Sequence, residues 1–474
     1  MKKYIALITC WLLAYSLQAQ TFSEMYDKPL STVLKDIQEK YGVTLKYSNE
    51  RVKDKTVTFA IWRTDLFNVE ETLTNILYPF DLRFKKEGEN TYRIEPFIHW
   101  IKPEAEGAAH LKALLELYPT LPQWEARKEA VRHHILQEAG LSPLPQKNPL
   151  NPKSVNKRSY DGYTVENVSL EVLPGVYVCG SLYKPAKKGK YPAMLCPHGH
   201  FDSPNVNESG RYRAEVQIRC AMLARMGVIA FNYDMFAWNE SALQVPKETH
   251  YTGLALTMQI WNSIRVIDFL CSLSEVDTTR IGVTGASGGG SQSFFVAAID
   301  PRIALSVPAV IVASHTYGAC PCEIGYPIHF LHDALQTNNV EIPALFAPKP
   351  QLVISVGGDM TCNTPTVEFP YLQAVYSLYG KKDHVENAHF ANEEHDYGPS
   401  KRHALYHFVA KHFNLDIKKI QDKAGNFDEN KVTVEPAEKM FAFGVQKKLP
   451  DNAVMGADAV KTGLLKMIGG SEKN

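Results

Sequence analysis

The chain has 474 residues, with 51 basic and 51 acidic side chains and no formal net charge. That balance excludes the basic footprint of a nucleic-acid binder or of a protein drawn to an anionic membrane surface. With 45% hydrophobic residues the composition is that of a globular protein with room for two or three domains.

Residues 1–20 read as a secretion signal. Lys2 and Lys3 give a basic start, Ile5 to Leu17 form an apolar run too short to cross a bilayer, and Leu17-Gln18-Ala19 offers small-residue cleavage. Cys10, preceded by Thr9 within that run, is not placed for lipidation. No later segment is long and apolar enough to span a membrane. The expected location is therefore periplasmic or secreted, with no membrane insertion after signal cleavage. The cysteines left are Cys179, Cys196, Cys220, Cys271, Cys320, Cys322 and Cys362. They are odd in number and contain no C-x-x-C pair, so buried free thiols are expected and a zinc ribbon is not. Cys179 and Cys196, on neighbouring expected strands, are the one candidate disulfide.

Residues 21–97 form a separate small α+β domain. Leu30, Val33, Leu34 and Ile37 recur at helical spacing, with Ser31 as the expected N-cap. Tyr41-Gly42 ends that helix. Strands follow at Val43–Tyr47 and Thr56–Ala60, a second helix starts at Asn68 with Leu73 and Ile76 inward, and Gly88-Glu89-Asn90 turns a hairpin. The pattern Pro29-Leu30-x-x-Val33-Leu34-x-x-Ile37 followed by Gly42-Val43 resembles the short N-terminal domain of secretins and TonB-dependent receptors. The resemblance implies a module that contacts a protein partner; a plain spacer is the alternative.

Residues 98–159 carry two helical patterns, Glu104 to Leu117 and Trp124 to Glu138. A loop with Pro143, Pro145, Pro149 and Pro152 leads into the next domain. Residues 160–415 then alternate strands and helices. Eight strands are expected, at Thr164–Leu173, Val176–Tyr183, Tyr191–Cys196, Val228–Tyr233, Arg280–Thr284, Ala304–Val312, Gln351–Val356 and Val385–Phe390. Helices near Ala214, Leu254, Gln292, Val367 and Ser400 lie between the later ones, so the expected fold is an eight-stranded, mostly parallel sheet covered on both faces. Residues 416–474 read as a polar C-terminal extension with helical spacing around Ala459 to Met467.

The chemistry-bearing pattern is Gly285-Ala286-Ser287-Gly288-Gly289, placed between an apolar strand and a helix. A serine on a sharp strand-to-helix turn needs neighbours almost without side chains, and the helix start aims N–H groups at developing negative charge. Ser287 is thus the expected nucleophile. Asp359 follows a buried strand and Gly357-Gly358, where it can reach over the sheet edge; Asp333 is the rival acid. His395 lies 36 residues beyond Asp359, in the loop between the last strand and the last helix. His389 competes but falls within the strand. The order Ser, Asp, His on one scaffold points to acyl transfer.

His198-Gly199-His200 follows the strand ending in Leu195-Cys196-Pro197. The run resembles the His-Gly turn of α/β-hydrolases, and that resemblance implies the main-chain N–H groups of His200 and Gly288 as oxyanion donors; His198 is expected to hold the loop. Trp238, Glu323 and Tyr326, with Phe330 and Cys320-Pro321-Cys322, are expected to shape a sugar or acyl pocket. No metal or organic cofactor is required.

With Asn232-Tyr233-Asp234 and His395-Asp396-Tyr397-Gly398, these runs make residues 160–415 similar to the α/β-hydrolase superfamily. Within it they most resemble bacterial carbohydrate esterases related to acetyl xylan esterases and dienelactone hydrolases. Two positions depart from that pattern. Acetyl xylan esterases carry Tyr after His-Gly and Gln after the serine, where this chain has His200 and Gly288. Glucuronoyl esterases carry Arg after the nucleophile. The implied function is a serine esterase acting on an ester-decorated oligo- or polysaccharide. A prolyl oligopeptidase-type peptidase is the alternative, but its propeller blades take about 40–45 residues each, and the region before Tyr160 is too short and helical to supply several. A receptor-coupled signalling protein with an inactive hydrolase body is the non-enzyme reading.

Overall fold

The computed structural model describes residues 28–57, 68–77, 80, 82–97, 103–201, 203–315 and 337–469. The chain divides into two compact units, 1–99 and 100–474. The signal segment, residues 58–60 of one expected strand, and Cys320, Cys322, Glu323, Tyr326, Phe330 and Asp333 lie outside the described residues.

In the smaller unit the described elements are β1 (Lys28–Pro29), α1 (Leu30–Tyr41), β2 (Thr44–Lys46), α2 (Asn49–Val52), β3 (Thr56–Val57), α3 (Val69–Leu77), β4 (Leu82–Gly88) and β5 (Thr91–Pro96). The helical spacing of Leu30, Val33, Leu34 and Ile37 buries one face of α1 against Leu73 and Ile76 of α3. Ser31 is not the N-cap. Pairing of Lys28 and Pro29 with Val57 and Thr56 brings the chain in extended, so the helix starts two residues earlier, with Pro29 as its cap. Gly42 closes α1 in the left-handed conformation at φ 63°, where a side chain would be strained. The β4–β5 hairpin forms as expected, and β2 runs parallel beside β5.

The larger unit opens with α4 (Glu104–Leu117) and α5 (Leu121–Glu138). Strands β6 (Lys153–Tyr160), β7 (Tyr163–Leu173), β8 (Val176–Pro185) and β9 (Tyr191–Leu195) come next. Then follow α6 (Ala214–Met226), β10 (Ile229–Tyr233), α7 (Gly253–Ser272), β11 (Val276–Ala286), α8 (Gly288–Ile299), β12 (Ile303–Ala309) and α9 (Glu341–Ala344). The last elements are β13 (Gln351–Val356), α10 (Glu368–Leu378), β14 (Val385–Phe390), α11 (Pro399–Phe413) and α12 (Ala457–Gly469).

Among the described residues the sheet has nine strands rather than eight, in the order β14-β13-β12-β11-β9-β10-β8-β7-β6. The six from β14 to β10 are parallel, and β8, β7 and β6 add antiparallel at one edge. The unexpected strand is β6. Its polar sequence is mostly exposed, Asn156 sits at φ 51°, and the register shifts between Val155 and Arg158. An irregular edge strand carries no apolar alternation for sequence reasoning to find.

Each face of the sheet buries its own core. Ala193, Leu195, Ile281, Val283 and Val353 face a cluster with Trp261 of α7, Phe294 of α8 and Tyr371 of α10. Met194, Cys196, Leu352, Ile354 and Val356 face the opposite cluster, with Cys220 of α6 and Phe408 of α11. Successive residues of β9 and β13 thus go to opposite cores, as the two-residue strand period requires. Cys179 and Cys196 are free thiols, not a disulfide. Strand β10 lies between β8 and β9, which separates the two cysteines by about twice the 4.8 Å strand spacing, beyond disulfide reach.

The described part of the C-terminal extension, residues 416–469, is anchored to the hydrolase body. Glu435 is buried in an ion pair with Arg158, with Nε–Oε1 at 2.8 Å, and also accepts from Tyr160. Met440 and Phe441 pack on Tyr212. The Glu240 carboxylate accepts the Ala442 and Phe443 N–H groups, both at 2.9 Å, while Arg211 bridges Glu240 and Asp234. Val460 and Leu464 of α12 complete one core.

Candidate active site

Strand β11 runs straight into α8 through Ser287, which has φ 55° and ψ −125°. A non-glycine residue in this region is strained by about 1–3 kcal/mol. The strain is held by two main-chain bonds: Ser287 N–H donates to Ala309 O at 3.0 Å, and Ser291 N–H donates to Ser287 O at 2.9 Å. The flanking glycines are sterically required. A Cβ at Gly285 would lie 2.5 Å from Gly289 and from Pro197 O, and one at Gly289 would lie 2.4 Å from Pro197 O.

The registers place Ala286, Ala309, Ile354 and Ala388 level across β11, β12, β13 and β14. Ser287 stands one residue past that row, and the loops after β13 and β14 rise from the same rim. There His395 Nδ1 meets Asp359 Oδ2 at 2.7 Å. A carboxylate can only accept, so Nδ1 carries the proton and Nε2 is left as the basic atom. Thr361 holds the other Asp359 oxygen through its hydroxyl and its N–H, each at 2.6 Å. Burial works to raise the Asp359 carboxyl, but hydrogen bonds from His395 and Thr361 outweigh it and hold it below its ordinary 3.8. His389, the competing histidine, is a sheet residue whose Nδ1 lies 2.9 Å from Ser355 Oγ.

The His395 loop is fixed from beneath. Tyr397 is fully buried, with its hydroxyl 2.7 Å from Thr284 Oγ1 in β11. Lys401, 1% exposed, pairs with both Glu393 and Asp396 at 2.6 and 2.7 Å.

On the other side of Ser287 lies the turn His198–His200. His198 is buried; its Nδ1 contacts Gly199 O at 2.8 Å and its Nε2 accepts from Met235 N–H at 3.1 Å. Those partners fix a neutral ring, and burial lowers its pKa to about 3. Gly199 packs on the elbow so closely that a Cβ there would sit 2.7 Å from Ala286 O and 3.2 Å from Ser287 Cβ. The His200 imidazole covers Gly288, where a Cβ would meet its Nδ1 and Cε1 at 2.5 Å. Its Nε2 lies 2.6 Å from Nε2 of His250.

The geometry has counterparts. A solved structure titled Methylesterase BT1017 superposes at TM-score 0.72 with 41% identity, covering 96% of this chain and all of that one. The chain belongs to the family of that methylesterase. It is an ester hydrolase of the α/β type. Residues 198–322 match the family model described as "Glucuronyl esterase, fungi". Acetyl esterase Axe7A of Xylanibacter ruminicola is 27% identical over 33% of this chain and 38% of its own length. The 4-O-methyl-glucuronoyl methylesterase of Podospora anserina is 27% identical over 39% of this chain and 36% of its own. The matches thus span little more than a third of those two curated relatives.

Against this family frame the remaining sequence candidates divide. Trp238 is 3% exposed and packs on the His200 and His250 rings at 5.6 and 4.9 Å, lining a cavity of about 200 Å³ with Tyr212, Lys247 and Phe441. Glu323 and Tyr326 fall outside the described residues. Among the described residues no group of three or more His, Cys, Asp or Glu could hold a metal ion. Sequence reasoning missed Thr361 and His250. Asp-x-Thr after a strand is a recognisable turn signal for the first; nothing in the sequence singles out the second among 16 histidines.

Proposed function

We propose that this chain is a periplasmic or secreted serine esterase that demethylates esterified carboxyl groups of a carbohydrate. The observation that carries the reading is the 2.7 Å His395–Asp359 pair on the rim where the strained Ser287 stands. His395 Nε2 takes the proton from Ser287 Oγ as it attacks the ester carbonyl. Asp359 keeps Nδ1 protonated and stabilises the imidazolium. The N–H groups of Gly288 and His200 receive the oxyanion. The Gly199 carbonyl supports this role for His200: it is held by His198 and by Phe201 N–H at 2.9 Å, and across a trans peptide the His200 N–H points the opposite way.

Collapse of the tetrahedral intermediate breaks the carbonyl–methoxyl bond, and the His395 proton leaves with methanol. The sugar carboxyl remains as an ester on Ser287. Water, deprotonated by His395, then releases the carboxylate and restores the serine.

Similarity to the methylesterase and to the glucuronoyl methylesterase favours a methyl leaving group. The second reading, hydrolysis of sugar acetates, is favoured by the Axe7A match. Assaying methanol and acetate release from methyl-esterified and acetylated oligosaccharides separates them; methanol release alone is expected. For residues 21–97 the proposal is a protein-contact module, on the Pro29-to-Val43 pattern.

A further inference from the structure

The cavity beside Trp238 has no part in the reaction above. It measures about 200 Å³, and the Trp238 and His200 rings stand between it and Gly288, the residue after the nucleophile. One wall comes from the turn after β10, through Trp238 and Asn239, and another from the C-terminal extension, through Phe441 and Lys447. The extension is held there by Glu240, which accepts the Ala442 and Phe443 N–H groups, both at 2.9 Å.

The polar groups of this cavity are unequal. Its carboxylate and amide acceptors are already engaged. Glu240 Oε2 takes an N–H of Arg211 at 2.5 Å as well as that of Ala442, Oε1 takes that of Phe443, and Asn239 Oδ1 takes the Ser209 hydroxyl at 3.3 Å. Two donors are not engaged. Among the described residues neither the Trp238 indole N–H nor the Lys447 ammonium has a hydrogen-bonded acceptor. Trp238 is 3% exposed, and Lys447 Nζ lies 4.6 Å from the Phe441 ring centroid. A cavity that offers donors over aromatic walls suits an acceptor-rich, anionic group. Three lining residues are also strained: Ala237, Asn239 and Lys447 hold φ at 59°, 47° and 50°. Non-glycine residues avoid this conformation unless the surroundings impose it, and such residues cluster where ligands bind.

We propose that this cavity is a carboxylate-binding subsite, in which Trp238 Nε1–H and Lys447 Nζ donate to the free carboxylate of a sugar unit neighbouring the one that carries the ester. Two rings separate the cavity from Gly288, so the group it holds belongs to a neighbouring unit and not to the ester itself. The inference rests on the carbohydrate-esterase reading and narrows its substrate to an acidic glycan whose carboxyl groups are only partly esterified. It also gives the C-terminal extension a part in substrate choice, through Lys447.

The test compares two trisaccharides whose central unit is methyl-esterified glucuronic acid. The outer units are glucuronic acid in one and glucose in the other. The readout is the ratio of their kcat/KM values. It should favour the acidic trisaccharide in the wild type and shrink with added salt. It should fall about threefold in Lys447→Met, as for an exposed ion pair, and further in Lys447→Glu. In Trp238→Phe, which keeps an aromatic ring and removes the N–H, it should fall about tenfold, as for a lost hydrogen bond to a charged group. These losses should lie in KM rather than kcat. A ratio that is unchanged in Lys447→Glu overturns the proposal. Binding is read without turnover from the Trp238 indole N–H resonance, assigned by its absence in Trp238→Phe and followed in Ser287→Ala. A shift with methyl glucuronoside as the free acid, and none with methyl glucoside, supports the subsite. A shift with neither, or with both alike, overturns it. If neither trisaccharide is turned over while sugar acetates are, the methyl-ester reading falls, and the indole titration still decides the subsite.

Discussion

The Tyr397 hydroxyl donates to Thr284 Oγ1 at 2.7 Å, while Thr284 donates onward to Val307 O at 2.9 Å. One buried bond thus ties the loop that bears His395 to the strand that ends at Ser287. Burial raises the Tyr397 phenol to about 12, so it stays a donor at any working pH. Tyr397→Phe removes the bond without opening a cavity. It should cost about 1 kcal/mol in unfolding free energy by denaturant titration. It should also lower kcat more than it raises KM, because the loop, not the substrate site, is loosened.

Among the described residues Thr361 is the one side chain that holds Asp359 Oδ1, and its own oxygen accepts Val356 N–H at 3.0 Å. Thr361→Val keeps the shape and removes both. The expected result is a fall in kcat of about tenfold with KM little changed, as for a lost hydrogen bond to a charged group. Thr361→Ser should restore most of it. Equal kcat in the valine variant would show that Asp359 needs no such support.

Acid stability should report His198. The unfolded imidazole protonates near 6.5, whereas the folded one stays neutral down to about 3. The unfolded state therefore binds one more proton in this window. The stabilisation is complete above pH 6.5 and is lost as pH falls toward about 3. In His198→Asn the slope of unfolding free energy between about pH 4 and 6 should flatten by about 1.4 kcal/mol per pH unit. An unaltered slope would mean that the ring is charged in the native protein.

Gln351–Val356 was legible because it is a short buried run rich in Val and Ile, and it is observed with the expected ends; Val385–Phe390 also has the expected ends, although it is a half-buried edge strand with Glu, Asn and His. The elbow was legible because Gly285 and Gly289 touch backbone from which any Cβ would clash. What escaped was held by polar contacts without period. Strand β6 is a polar, mostly exposed edge strand, and His250 sits in a 3₁₀ turn, Lys247–Tyr251, with its partner His200 50 residues away. The tail after Leu415 was read as peripheral because its anchors, Glu435 and the main chain of Ala442 and Phe443, are hydrogen-bonding groups rather than an apolar stripe.

That tail gives a stability prediction. Glu435→Ala leaves Arg158, whose side chain is 13% exposed, without its carboxylate. Breaking a buried pair from one side costs about 3–5 kcal/mol, so a loss near the lower end is expected because Arg158 retains some solvent. Thermal and denaturant unfolding measure it. A neutral effect would make the tail a passenger.

The most direct test of the central claim is the site of covalent labelling by a fluorophosphonate, mapped by peptide mass spectrometry on active enzyme. The account predicts a single adduct on Ser287, absent in Ser287→Ala and formed at least about a hundredfold more slowly in His395→Ala. An active preparation that carries no adduct on Ser287, or a Ser287→Ala variant that still turns over ester, would contradict it.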